Sequence, residues 1–165
     1  MCRALLNIIF LLLMPTSTFA LPEDREQPFN IVADSSIFNY KTGIDTYEGN
    51  VKVDQGTSHL TADRLVTQKN KQHKMTAAIA TGIKKLAEYT TVPKIGDPTL
   101  NAKAKVIKFY PPTSIVILEQ DVVITQKENS FHGPLIIYNM KDQIVTAPPS
   151  KNGRATIVIE PNQLK

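Results

Sequence analysis

Histidines and carboxylates are the side chains of this 165-residue chain that could do chemistry. His59, His73 and His132 do not lie at the spacings of metal ligands, and the single cysteine, Cys2, stands in a predicted leader. Zinc sites need three or four such ligands, so we expect no metal. The sequence also contains neither a Gly-rich phosphate loop nor a Gly-x-Ser-x-Gly motif. We therefore expect no nucleotide cofactor and no serine or cysteine nucleophile.

Three carboxylates, Asp34, Glu48 and Asp63, recur in register with a sequence repeat. Because these carboxylates recur in register with the repeat, a structural role such as capping a turn is favoured over a catalytic pair. We therefore expect the chain not to be an enzyme. A pair of carboxylates of the kind that glycosidases use is the enzymatic alternative that the sequence leaves open.

Lysines form clusters, of which the densest places Lys69, Lys71 and Lys74 around His73 on a predicted hairpin tip. Solvated turns and protected edge strands explain such clusters. Contact with an anionic head group, for example a phosphorylated sugar, is the functional alternative. The net charge is +4 with both signs interspersed, which excludes the footprint of a nucleic-acid-binding protein.

The elements that position these side chains follow from one short pattern that returns four times. The copies are Ile31–Asp34, Leu60–Asp63, Leu100–Lys103 and the degenerate Phe131–Pro134. Each begins an extended run that meets a polar or Pro-rich turn and then a second apolar run. A hairpin repeated about every 30 to 40 residues cannot bury its apolar face alone, so stacked β-structure with a continuous apolar channel is predicted.

A second alignment indicates that these strands bend. Glu48–Val53 aligns with Glu119–Ile124, and Gly49 marks a position where a strand bends or backbones approach closely. Ala62 and Leu65 cannot both face one side of a regular strand. The slip between them predicts a β-bulge or a corner, which is how stacked sheets curve.

The ends of the chain predict export. Residues 1–20 are typical of a cleavable signal peptide, with Arg3, the apolar Ala4–Met14 and the small residues of Thr18–Ala20. Residues 21–165 then form one predicted domain, without cysteine and with a long loop at Val92–Pro98. An exported protein without disulfides fits a bacterial envelope.

Three segments, in this order, resemble the OstA-like (LptA) family of periplasmic lipopolysaccharide-transport proteins of Gram-negative bacteria. They are Gln27–Asp34, Tyr47–Asp63 and Ile157–Leu164. The resemblance implies an open, twisted β-jellyroll of about sixteen antiparallel strands, a periplasmic location and a non-enzymatic role. Gln120–Asp121 stands where the family tends to have Gly-Asn, which leaves the conformation of that turn open.

The resemblance also implies partners. Modules would join head to tail, C-terminal edge to N-terminal edge, between inner-membrane LptC and the N-terminal domain of outer-membrane LptD. Neither predicted terminal strand carries the Pro or lysine run that blunts an exposed edge. The predicted edge residues are Phe29, Ile31, Ala33, Ile157 and Ile159.

The apolar interior is the predicted binding site, with lipopolysaccharide as its ligand. Covering an acyl chain contributes about 0.8 kcal/mol per methylene. The residues predicted to contact acyl chains are Phe29, Ile31, Ile107, Phe109 and Ile117. A monomeric lipid shuttle of the same fold, a secreted carbohydrate-active enzyme and a ligand-free structural module of the envelope remain as alternatives.

Overall fold

The computed structural model describes residues 27–93, 96–142, 144–150 and 153–159, so the predicted leader lies outside the described residues. The described residues form twelve strands and one short 3₁₀ turn, Pro111–Thr113. None of them belongs to a helix long and apolar enough to cross a membrane. The strands are β1 Asn30–Val32, β2 Ser35–Asn39, β3 Ile44–Gln55, β4 Ser58–Lys69, β5 Met75–Thr81, β6 Ala87–Thr91, β7 Leu100–Ala104, β8 Val106–Tyr110, β9 Ile115–Gln126, β10 Asn129–Asn139, β11 Ile144–Thr146 and β12 Thr156–Val158.

All twelve strands belong to one sheet, and every pairing is antiparallel. The sheet divides into two halves along a line that crosses its long strands. The first half-sheet comprises β1, β6, β7 and β12 with residues 51–55, 58–62, 122–126 and 129–133. The second half-sheet comprises β2, β5, β8 and β11 with residues 44–48, 64–69, 115–119 and 135–139.

This division explains the number of strands. The predicted antiparallel all-β class is confirmed, but the described chain has twelve strands where about sixteen were predicted. The long strands β3, β4, β9 and β10 run through the dividing line without interruption. If their two halves are counted separately, the same sheet contains sixteen segments.

Two matching irregularities bend the long strands. The register shifts between Glu48 and Val51 in one hairpin and between Gly133 and Leu135 in the other. Gly49 and Asn50 both have left-handed backbones, with φ of 78° and 46°. The predicted slip between Ala62 and Leu65 is therefore confirmed as a bulge in the β3–β4 hairpin.

The predicted alignment of the two bends is confirmed as well. Gln120 and Asp121 have φ of 62° and 56°, so they adopt the conformation of Gly49 and Asn50 without a glycine. The carbonyl oxygen of Gln120 accepts a hydrogen bond from the backbone N–H of Lys105 at 2.8 Å. The pairing of neighbouring strands holds this turn in the left-handed form that its residue types disfavour.

The aspartates of the first two repeat copies stabilise turns, Asp34 at the Gly49–Asn50 bend and Asp63 at the turn between β5 and β6. Asp34 donates its backbone N–H to the carbonyl oxygen of Gly49 at 2.9 Å, and its Oδ2 accepts from Asn50 Nδ2 at 2.9 Å. Asp63 Oδ2 accepts the backbone N–H groups of Ile83 and Lys84, the latter at 2.6 Å. The predicted structural role of both carboxylates is thus confirmed.

The core lies on one face of both half-sheets. Small side chains concentrate next to the bend: Ala80, Ala87 and Ala104 are at most 2% exposed, and a Cβ on Gly82 would clash with the backbone of Lys85. The two half-sheets therefore come closest together at the bend. The buried apolar residues are Tyr47, Val51, Val53, Leu65, Ala80, Ala87, Ala102, Ala104, Ile107, Leu118, Val122 and Ile136.

We expect Gln120→Gly to stabilise the protein. Glycine removes the strain of a left-handed backbone, and this exceeds the entropy that glycine adds to the unfolded chain, for a net gain of about 0.5 to 1 kcal/mol in the free energy of unfolding. Urea unfolding measures it. Thr125→Gly, at an extended position of the same strand, serves as the control and should destabilise. Equal losses of unfolding free energy in the two variants would contradict the strain that we assign to the left-handed backbone at Gln120.

We expect Asp63→Asn to be less stable than the native chain at neutral pH. Hydrogen bonds from the backbone N–H groups of Lys84 and Ile83 hold the pKa of the Asp63 carboxyl below its ordinary value. Its stabilisation is therefore present above pH of about 4 and is lost as pH falls below that through the folded-state pKa. Unfolding curves at pH 7 and pH 3 should show that the difference in the free energy of unfolding between the native chain and Asp63→Asn is smaller at pH 3. Asp97→Asn, at an exposed loop position, is the control and should be as stable as the native chain at pH 7.

Candidate functional site

A cavity of about 300 Å³ opens between the two half-sheets at the N-terminal edge. The first half-sheet contributes the segment that leads into β1, and the second contributes β2, β3, β4 and the start of β5. Two walls from different halves of the sheet therefore face each other here. The lining residues are Phe29, Ile31, Phe38, Tyr47, Thr67, Lys69 and Met75.

Four of the five residues predicted to contact acyl chains face the interior. Phe29 and Ile31 line the cavity. Ile107 is buried in the core, opposite Ala80 in the register. Phe109 is half-buried and shares its face with Ile107, since both occupy alternate positions of β8. Their contact with acyl chains stays a prediction.

Ile117 lies on the other face of the sheet. Its register partners are Lys108 and Ile137, whereas its neighbour Leu118 pairs with the inward-facing Ile107. The structure therefore removes Ile117 from the predicted groove. The run Ile115–Leu118 is apolar at every position, so its alternation cannot be read from residue type.

One ion pair with a buried acid borders the cavity. Asp45 is 4% exposed and accepts a hydrogen bond from Lys69 Nζ at 2.6 Å. This hydrogen bond raises the pKa of Lys69. Burial, and next the charge of Asp45, raises the pKa of the Tyr47 hydroxyl. Among the described lining residues, Lys69 is thus the one cation, and its side chain remains 40% exposed at the mouth.

Sequence reasoning missed the other wall of this cavity. Phe38 and Met75 become neighbours of Phe29 only through pairing across β2, β3, β4 and β5. The register of the β4–β5 pair also shifts at Gln68, and no turn motif in the sequence predicts this shift. The alternation of side chains along β3 could have indicated this wall, because it places Asp45 and Tyr47 on the same face of the sheet.

The N-terminal edge is open and apolar on both faces. Among the described strands, β1 and β2 pair only with β3. Phe38 is 48% exposed on the inner face, while Val32 and Ile37 are more than 60% exposed on the outer face. Ala33, a predicted edge residue, lies between β1 and β2 and packs against the core.

The C-terminal edge has the same character. Within the part of the chain that the structure describes, β11 and β12 pair only with β10. Ile157, Val158 and Ile159 are each about half exposed, and the register opposes Ile157 to Phe131 on the inner face. The predicted edge residues therefore lie at the two ends of the sheet, and the inner face runs from one open edge to the other.

The described residues show no arrangement suited to catalysis. No group of three or more His, Cys, Asp or Glu among them could hold a metal ion. His59 Nδ1 and Asp54 Oδ1 lie 2.6 Å apart, but both side chains are more than half exposed on the outer face. An apolar groove with open ends can bind and pass on an apolar chain, and it offers no catalytic pair.

Comparison with known proteins agrees with this geometry. Residues 30–144 match the family described as "LptA/(LptD N-terminal domain) LPS transport protein". The chain belongs to this family. Its members are transport proteins and not enzymes, so the predicted resemblance and the predicted absence of enzymatic activity are both confirmed.

Relatives cover most of the chain. The lipopolysaccharide export system protein LptH of Pseudomonas aeruginosa is 33% identical over 137 residues, which are 83% of this chain and 74% of LptH. LptA of Escherichia coli K12 is 28% identical over 165 residues, covering 97% and 87% of the two chains.

A solved structure supports the fold. The crystal structure of LptH, the LptA-homologous periplasmic component of the lipopolysaccharide transport device of Pseudomonas aeruginosa, superposes with a TM-score of 0.76 at 29% identity. The match covers 85% of this chain and all of that one.

Proposed function

We propose that this chain is a periplasmic carrier and bridge for lipopolysaccharide, which moves along the groove between the half-sheets. The observation that carries the proposal is an apolar inner face that is continuous between two edges to which no further described strand is paired. Relatives named as lipopolysaccharide export proteins supply the ligand class.

The groove would shelter acyl chains from water. Each covered methylene contributes about 0.8 kcal/mol, so a chain of about ten methylenes gains on the order of 8 kcal/mol before the loss of its conformational freedom. Phe29 and Phe38 stand at the mouth with more than 40% of their surface exposed, which leaves apolar area for a ligand to cover. Transfer along this surface is passive, and a partner must supply the driving force.

The two edges would join modules into a bridge. An unpaired antiparallel edge offers backbone N–H and C=O groups to a further strand. Apolar side chains on both faces of that edge, such as Val32 at one end and Val158 at the other, would be covered by the same contact. Head-to-tail contact of the C-terminal edge with the N-terminal edge extends the groove, with LptC at one end and the N-terminal domain of LptD at the other.

We expect Phe38→Glu to reduce binding of lipopolysaccharide by at least tenfold, because a carboxylate in the cavity must be desolvated when acyl chains enter. The matched control is Ile37→Glu, the adjacent residue on the outer face of the same strand, which should bind as the native chain does. Both positions are about half exposed or more, so both variants should fold. Co-purified lipid is quantified by mass spectrometry. Equal binding by the two variants would contradict a ligand on the inner face.

We expect lysine at either edge to stop assembly, because a charge there cannot be covered by a partner strand. Val32→Lys and Val158→Lys should each remain monomeric as concentration rises, whereas the native chain elongates in sedimentation velocity. A mixture of the two variants should form dimers and nothing longer, since each retains the edge that the other lacks.

Thr61→Lys, an exposed outer position on β4 inside the sheet, is the control and should elongate normally. A native chain that stays monomeric at every concentration would support the alternative of a monomeric shuttle. Dimers formed by one edge variant alone would indicate like-to-like contact and would rule out head-to-tail growth.

A further inference from the structure

The turns of the second half-sheet lie side by side on one rim. The register brings the ends of its strands together, with Asn39 opposite Ile44 and Asn139 opposite Ile144. Lys69 donates its backbone N–H to the carbonyl oxygen of Gly43 at 2.8 Å, which ties two adjacent turns together. We call residues 40–43, 70–74, 111–114 and 140–142 the turn rim.

The turn rim is basic. Its exposed cations are Lys41, Lys71, Lys74 and Lys141. None of the four forms an ion pair with a described carboxylate. Asp142 is the rim's one described acid, and its Oδ2 accepts a hydrogen bond from Asn139 Nδ2 at 2.6 Å.

Some cations elsewhere on the sheet are paired with carboxylates. On the outer face, Arg64 pairs with Glu48 at 3.1 Å and Lys108 pairs with Glu119 at 2.8 Å. The opposite rim, formed by the turns of the first half-sheet, carries both signs in its described residues, with Asp97, Lys127 and Glu128. Exposed lysines without a printed ion pair also lie at the bend, at Lys84, Lys85 and Lys105. Of the two rims that flank the groove, however, the turn rim is the one whose described charges are mostly positive.

Asparagine side chains fix the backbone that presents these lysines. Asn39 Oδ1 accepts the backbone N–H of Lys41 at 3.1 Å, and Asn139 Oδ1 accepts that of Lys141 at 3.0 Å. Asn70 Oδ1 accepts the backbone N–H of Lys74 at 3.0 Å. In all three turns, an asparagine at or just after the strand end thus accepts the backbone N–H of a lysine two or four residues later.

The turn rim borders the mouth of the cavity. Met75, which lines the cavity, follows Lys74 directly, and Phe38 stands three residues before Lys41. Lys69, the cation at the mouth, is already paired with Asp45. An amphiphile with its chains in the cavity would therefore meet the unpaired lysines of the turn rim where its head group emerges.

We propose, resting on the function proposed above, that the turn rim binds phosphate esters on the head group of the amphiphile carried in the groove. The lysine ammonium group binds phosphate as a point charge. A cluster of unpaired lysines attracts a doubly charged phosphate more strongly than a singly charged group. The ligand would then be held in one orientation, with its chains between the half-sheets and its phosphates toward the second half-sheet.

The test compares a triple variant, Lys41→Gln with Lys71→Gln and Lys74→Gln, with the native chain. The probes are lipid A and the same lipid after enzymatic removal of its phosphates. The variant should bind phosphorylated lipid A at least tenfold more weakly than the native chain does, and should bind the dephosphorylated lipid equally well. Raising the salt concentration should narrow the difference, since these lysines are exposed.

The matched control neutralises three exposed lysines away from the turn rim, at Lys52, Lys85 and Lys105, and should leave both affinities unchanged. Equal losses in the control, or a triple variant that binds like the native chain, would overturn the assignment. Displacement of the lipid by inorganic phosphate at matched concentration would make the rim a site for free phosphate and would also overturn it.

Different experimental results would contradict the proposed function and the proposed phosphate binding by the turn rim. If the native chain binds neither lipid, both are wrong. If the native chain binds both lipids equally well and the triple variant does the same, the groove stands and the phosphate contact is wrong.

Discussion

The bend across the long strands is the constraint on which the groove depends. A sheet has two faces, and a single flat sheet of this length would leave its apolar face in water. Left-handed residues at Gly49–Asn50 and Gln120–Asp121 turn the strands back. Asp34 satisfies the carbonyl oxygen of Gly49 at the first bend, and Asp63 satisfies backbone N–H groups of the turn between β5 and β6. The apolar face is then covered by the other half of the same sheet.

The one-residue slip that accompanies each bend keeps this face apolar along the whole strand. In β4 the inward positions are Leu60 and Ala62 before the bulge, and Leu65 and Thr67 after it. Without the slip, the alternation would carry Arg64 inward and Leu65 outward. The bulge therefore aligns the hydrophobic pattern of the first half-sheet with that of the second, and no separate element is needed to close the core.

The parts of the fold that could be predicted are those that short-range patterns in the sequence determine. The recurring aspartates predicted capping, the parity of Ala62 and Leu65 predicted the bulge, and the unblunted strands around Phe29 and Ile157 predicted open edges. The site was predictable only in part, because Phe38 joins Phe29 through pairing over several strands. No local signal distinguishes the two faces of an all-apolar run such as the one that contains Ile117.

The outer position of Ile117 raises the question of why lipid should prefer the inner face. A row of half-buried residues crosses the outer face in register: Val66, Ile79, Lys108, Ile117 and Ile137. Lys108 sits in the middle of this row, where its alkyl stem can cover the aliphatic neighbours while its amine pairs with Glu119 at 2.8 Å. An acyl chain on this face would have to displace or desolvate that ion pair, and it would be covered from one side only. Between the half-sheets, two walls would cover the chain, and the polar groups of Asp45 and Thr67 are already buried and bonded. The inner face is therefore the more favourable place for the proposed ligand.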